Sequence, residues 1–168
     1  MQKRPPFDLE TAKQAILAEK VPFLDSAEAV LRRFGGTWFF RYQESGAHNN
    51  AHFDAKVAMD HIDPSWFDYY SKRIGKPVTP IGECGQGHAT LMIDPDGKVY
   101  AGFDESLGKI ADTIEEAIIG FTDKTSGRWE PIMTDDEEDV LEFSEHLSGD
   151  GVWLGEDDGT LQNDQSIS

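Results

Sequence analysis

Five histidines and one cysteine are the side chains of widest chemical reach in this chain. His48 and His52 stand four residues apart, with Asp54 close behind. On a helix that spacing places two imidazoles on one face, and in a zinc protease a glutamate between them serves as base. His48-Asn49-Asn50-Ala51-His52 has no such glutamate and reads as a polar loop entering a strand, so plain loop histidines are expected. Cys84 and His88 flank Gly85-Gln86-Gly87. A thiolate beside an imidazole would be a nucleophile, and the same two groups suit a fragment of a zinc site. A deaminase would need Pro-Cys-x-x-Cys and His-x-Glu, and neither occurs. Two readings of Gly82–His88 therefore stand: a small thiol-dependent hydrolase built on Cys84 and His88, or an irregular turn feeding the next strand. Asp94-Pro95-Asp96-Gly97 resembles the start of a calcium loop, but the third acidic position is missing. The twelfth place, Glu105, lies beyond intervening strand residues. Neither a Gly-x4-Gly-Lys-Ser/Thr phosphate loop nor a Gly-x-Ser-x-Gly elbow is present. The expectation is a protein with no catalytic residue, no metal and no cofactor.

Composition narrows the partners. The 168 residues carry 15 Lys and Arg against 32 Asp and Glu, a net charge of −17. Nucleic acid is an unsuitable partner for such a chain, because phosphate binding rests on Lys and Arg. The 10 Phe, 4 Trp and 4 Tyr argue for a packed core. Neither a membrane span nor a signal peptide is expected: no apolar run approaches the roughly 18 residues a span needs, and no apolar segment follows Met1-Gln2-Lys3-Arg4. The lone Cys84 excludes an internal disulfide, and a cytoplasmic protein is expected. The charge is uneven. Residues 1–122 hold 18 acids and 13 bases, whereas 123–168 hold 14 acids and 2 bases. This places a globular domain over 7–122, an acidic helical appendage over 123–154 and a disordered tail over 155–168.

The elements that must position these residues alternate between helix and strand. Asp8 caps a helix to about Glu19 that buries Leu9, Ala12 and Ile16. Asp25 and Glu28 form a capping-box-like start, with Leu24 stapled to Ala29, for a helix that stops at Gly35-Gly36. Thr37–Tyr42 reads as strand, Gln43–Asn50 as loop, and Phe53–Met59 as a second strand with Phe53, Ala55, Val57 and Met59 inward. Asp63-Pro64 opens a helix to Ile74, ended by Gly75. Ala89–Ile93 and Val99–Phe103 form a hairpin across Asp94-Pro95-Asp96-Gly97, with Pro at i+1 and Gly at i+3. Thr113 and Glu116 box the start of a helix, and Thr134 and Glu137 repeat the pattern for a helix to Leu147. The class is α+β, a mostly antiparallel sheet flanked by helices with an acidic C-terminal appendage.

These segments resemble the third family of the SUKH superfamily, immunity proteins of bacterial polymorphic toxin systems. Phe7-Asp8, Ile16-Leu17 and Leu31-Arg32-Arg33-Phe34-Gly35-Gly36 are similar to its N-terminal helices and its Leu-x-x-aromatic-Gly-Gly signature. Pro80-Ile81-Gly82-Glu83, and then Gly87-His88 through Ile93-Asp94-Pro95-Asp96-Gly97-Lys98-Val99-Tyr100, resemble its Pro-Ile/Val-Gly element and the hairpin that follows. Leu107-Gly108 and Thr113–Ile118 look like its closing helix. The resemblance spans 7–122 and implies a domain that binds and neutralises a toxin domain, often a nuclease, without catalysis. It carries over no site residue. Outside it, the acidic run offers Asp135, Asp136, Glu138 and Asp139 as contacts for a cognate protein toxin with a basic face, or simply as a solvated helix start.

Overall fold

The computed structural model describes residues 6–43, 46–85, 87–122 and 129–132, and of residues 41–43 and 46–49 the backbone only. The helix expected over Thr134–Leu147, with Asp135, Asp136, Glu138 and Asp139, and the tail over 155–168 lie outside the described residues.

Two helices open the chain, α1 (Leu9–Ala18) and α2 (Asp25–Phe34). The hairpin of β1 (Trp38–Gln43) and β2 (Gly46–His52) follows, then α3 (Ala55–His61) and α4 (Ser65–Ile74). Four strands come next: β3 (Thr79–Cys84), β4 (Ala89–Ile93), β5 (Val99–Phe103) and β6 (Ser106–Ala111). After them come α5 (Ile114–Thr122) and a short β7 (Glu130–Pro131). Among the described residues seven strands form one sheet in chain order, each antiparallel to the next. The class is α+β, as the sequence predicts.

Several local expectations hold for the physical reasons that motivated them. The Asp8 carboxylate accepts the N–H groups of Glu10 at 3.0 Å and Thr11 at 3.4 Å, and Ala12 and Ile16 are fully buried. In the β4–β5 turn the Asp94 carbonyl accepts the Gly97 N–H at 3.1 Å, with Gly97 at φ +86°. Thr113 Oγ accepts the Glu116 N–H at 3.2 Å, while the Glu116 carboxylate reaches back to the Asp112 N–H at 3.0 Å.

Four expectations are corrected. Ala55–His61 is helix, not strand: Asp54 caps it through the Val57 N–H at 3.2 Å, and Ala55, Ala58 and Met59 fall on its buried stripe. The stretch holds both an alternation (Phe53, Ala55, Val57, Met59) and a helical stripe (Ala55, Ala58, Met59), and the cap decides between them. Of the segment expected as a loop, Gln43 ends β1 and Gly46–Asn50 belong to β2, which pairs with β1 from Gln43↔Gly46 to Trp38↔His52. Pairing overrides the poor strand propensity of Asn and His. Helix α2 begins one residue earlier than a box at Asp25 requires. Leu24 occupies the N-cap without a side-chain bond, and Thr79 Oγ on β3 accepts the Leu24 N–H at 3.0 Å. Finally, Gly82, Glu83 and Cys84 belong to β3 rather than to an irregular turn.

Strands β3 and β4 are buried at every position, so both sheet faces are covered at the centre. The rings of Phe39, Phe53 and Phe121 meet at 5.7–6.2 Å between centroids and join helix α5 to the first hairpin. Close approach at two glycines sets the geometry around the site. A Cβ on Gly82 would lie 1.8 Å from the His52 carbonyl oxygen, so only glycine lets β3 run against the exit of β2. A Cβ on Gly102 would lie 2.6 Å from Cζ of Tyr70, so glycine lets the α4 ring lie flat on β5.

Candidate functional site

Glu83 is an acidic residue next to the end of a buried strand, 3% exposed, and such a group requires partners. Two imidazoles supply them. His52, at the end of β2, is opposite Glu83 in the strand register. Its Nδ1 accepts the Asp54 N–H at 3.1 Å, which places the ring proton on Nε2. Nε2 then donates to Glu83 Oε1 at 2.8 Å. The His52 ring is also covered by Trp38, stacked with centroids 4.1 Å apart. His61, at the last turn of α3, donates from Nδ1 to Oε2 at 2.9 Å, with Oε1 at 3.1 Å. One buried carboxylate thus ties β2, β3 and α3 together. His61 differs from His52 in exposure: its side chain is 60% exposed.

Beside this cluster lies a cavity of about 220 Å³. Glu83, Thr90 and Tyr70 line it from inside and are buried; His61, Asp63, His88 and Asp104 line it from outside and are exposed. Trp66 and Phe103 complete the aromatic wall with Tyr70, and Trp66 stacks on Tyr70 at 5.8 Å. Each wall is held by the fold. The Tyr70 hydroxyl donates to the Asp104 carbonyl at 2.7 Å, and burial, with Asp104 nearby, pushes this phenol well above its ordinary range. Asp63 Oδ1 accepts the Ser65 N–H at 2.9 Å, and that bond holds the carboxyl below its ordinary range.

Cys84 and His88 are not joined. Neighbours on a strand point to opposite faces, so Cys84 turns away from the cavity that Glu83 lines and sits in the hydrophobic core. Burial, and secondly the Glu83 charge, push the thiol well above its ordinary range, so Cys84 stays protonated and is a poor nucleophile. His88 lines the cavity instead, with its ring edge-on to Phe103 at 6.5 Å. His48 lies on β2, and its side chain is outside the described residues. Asp94 is structural: Oδ1 accepts the N–H groups of Asp96 at 2.8 Å and Lys98 at 3.0 Å, and Oδ2 accepts the Tyr100 hydroxyl at 2.9 Å. Among the described residues no group of three or more His, Cys, Asp and Glu side chains is placed to hold a metal ion, and no helix is long and apolar enough to cross a membrane. The convergence of His52, His61 and Glu83 was missed by sequence reasoning. The available signal was a lone carboxylate within the run from Val78 to Cys84.

A single antiparallel meander, helices inserted between β2 and β3, and a small acidic and aromatic cavity beside a buried histidine–carboxylate cluster make up a domain of the α+β class. Residues 9–123 match the SUKH-3 immunity protein family, and the chain belongs to that family. Searches of curated proteins and of solved structures each returned no match.

Proposed function

We propose that this protein binds a protein toxin domain and neutralises it by occlusion, without catalysis, and that the toxin is a nuclease with a basic contact face. Membership of the SUKH-3 immunity family carries the reading. The net charge of −17 supports the finer part, since a nuclease must hold a polyanionic substrate with Lys and Arg. An acidic protein is steered onto such a face and competes with substrate there. The buried, protonated Cys84 speaks against a thiol hydrolase. In this reading the protein acts in the cytoplasm and engages neither nucleic acid nor membrane.

Asp135, Asp136, Glu138 and Asp139 are proposed as an additional contact. Changing them to Asn or Gln slows association and weakens its salt dependence if they take part, whereas an unchanged rate assigns them to solvent. The deciding test is co-expression with the cognate toxin domain. Survival is expected, and cells that die as readily as without this protein overturn the proposal.

A further inference from the structure

We infer that the cavity beside Glu83 is a socket for one cationic side chain of the partner, an arginine, and so forms the anchor of the interface. The inference rests on the toxin-binding reading above. It starts from charge. Among the described residues the lining holds three carboxylates, Asp63, Glu83 and Asp104, and neither lysine nor arginine. Arg73, on the same helix as Trp66 and Tyr70, is committed elsewhere, donating to the carbonyls of Glu105 and Ile132 and lying over the Tyr69 ring at 5.3 Å. The buried Glu83 adds negative potential where water is scarce, while Asp63 and Asp104 stand exposed at the mouth.

Size and wall chemistry narrow the occupant. About 220 Å³ falls below the roughly 300–1,000 Å³ of ordinary small-ligand pockets, and suits a single side chain. Trp66 and the exposed Phe103 bring aromatic surface to the lining, which suits a cation, while Tyr70 is fully buried between Trp66 and Gly102 and backs that wall. Arginine fits better than lysine. Its planar guanidinium stacks on rings while its N–H fork meets carboxylates, and it is less strongly hydrated than an ammonium. Phe103 is 44% exposed, an uncovered aromatic beside the opening that a docked partner would bury.

The test needs no toxin at first. The full chain is titrated with Nα-acetyl-arginine amide and, separately, with the neutral isostere Nα-acetyl-citrulline amide, followed by amide NMR. Saturable shifts at Gly87, Thr90 and Asp104 and at the Trp66 indole are expected with arginine only. Asp63→Asn with Asp104→Asn weakens that binding by about tenfold, the loss of roughly one charge-assisted bond. Asparagine suits the left-handed backbone of Asp104, at φ +49°, so this variant keeps its fold. Phe103→Ala, on the exposed wall, provides a second variant. Equal shifts with citrulline, no shifts, or shifts produced only by added zinc at His61 and His88 overturn the socket. The toxin arm separates the two proposals. If both variants protect co-expressing cells as the parent does, the anchor is refuted and the immunity reading stands. If the parent binds arginine but fails to protect, the immunity reading is refuted instead.

Discussion

The imidazole of His52 donates from Nε2 to Oε1 of Glu83 across 2.8 Å, and the two side chains are only 1% and 4% exposed. A buried carboxylate deprived of a donor bears its desolvation cost, so His52→Leu is expected to destabilise the fold by about 2–3 kcal/mol in urea unfolding. His61 is largely exposed, and water replaces its bond to Glu83. His61→Ala therefore costs about 1 kcal/mol or less. Equal losses in the two variants would contradict this division of labour.

Two glycines near the site predict different costs. At Gly82 the added Cβ meets the His52 carbonyl at 1.8 Å, backbone against backbone, and neither side yields easily. Gly82→Ala is expected to cost about 3 kcal/mol. At Gly97 nothing lies within 4 Å, but φ is +86°. There Gly97→Ala costs about 1 kcal/mol, Gly97→Val about 1–3 kcal/mol, and Gly97→Asn less than either, because asparagine tolerates the left-handed region. Melting temperatures of the four variants check the order.

Cys84 is buried and held as the thiol. An aromatic disulfide reagent at pH 8 should leave it unmodified in the native protein and react at once in 6 M guanidinium. Cys84→Ala should preserve neutralisation fully, as the catalytic alternative would forbid.

The β4–β5 turn makes stability fall in alkali. Burial, and secondly the bond to Asp94, raise the Tyr100 phenol above its ordinary value of 10.0. Between the unfolded and folded values the native state holds the extra proton, so stability declines as pH rises past about 10. Tyr100→Phe is expected to make that decline shallower, with the buried Tyr70 and Cys84 still contributing, while lowering stability near pH 7 by about 1–2 kcal/mol, since Asp94 Oδ2 loses its donor. A decline as steep as the parent's would assign the effect elsewhere.

Local chemistry was legible where one short segment holds all the determinants. The Asp8 cap, the Asp94–Gly97 turn and the Thr113–Glu116 box each close within five residues, and each is present. Ala55–His61 misled because Phe53, Ala55, Val57 and Met59 alternate while Ala55, Ala58 and Met59 stand at helical spacing in the same stretch, and the Asp54 cap distinguishes the two. The start of α2 misled because its bond comes from Thr79, far along the chain. The cavity was invisible for the same reason: it gathers Asp63, Glu83 and Asp104 from three separated segments, through a sheet whose register no local pattern states. Cys84 and His88 illustrate the converse. Four residues apart in sequence, they lie on β3 and beyond its end, one in the core and one at the cavity.

Neutralisation by occlusion requires one molecule of this protein for each toxin domain. The direct measurement is the activity of the purified toxin domain titrated with the purified chain. Activity is predicted to fall linearly to zero at one equivalent, with a slower association rate at higher salt. Full activity at several equivalents, or complete loss at a few hundredths of one, would contradict the account: the first denies binding, and the second requires catalysis.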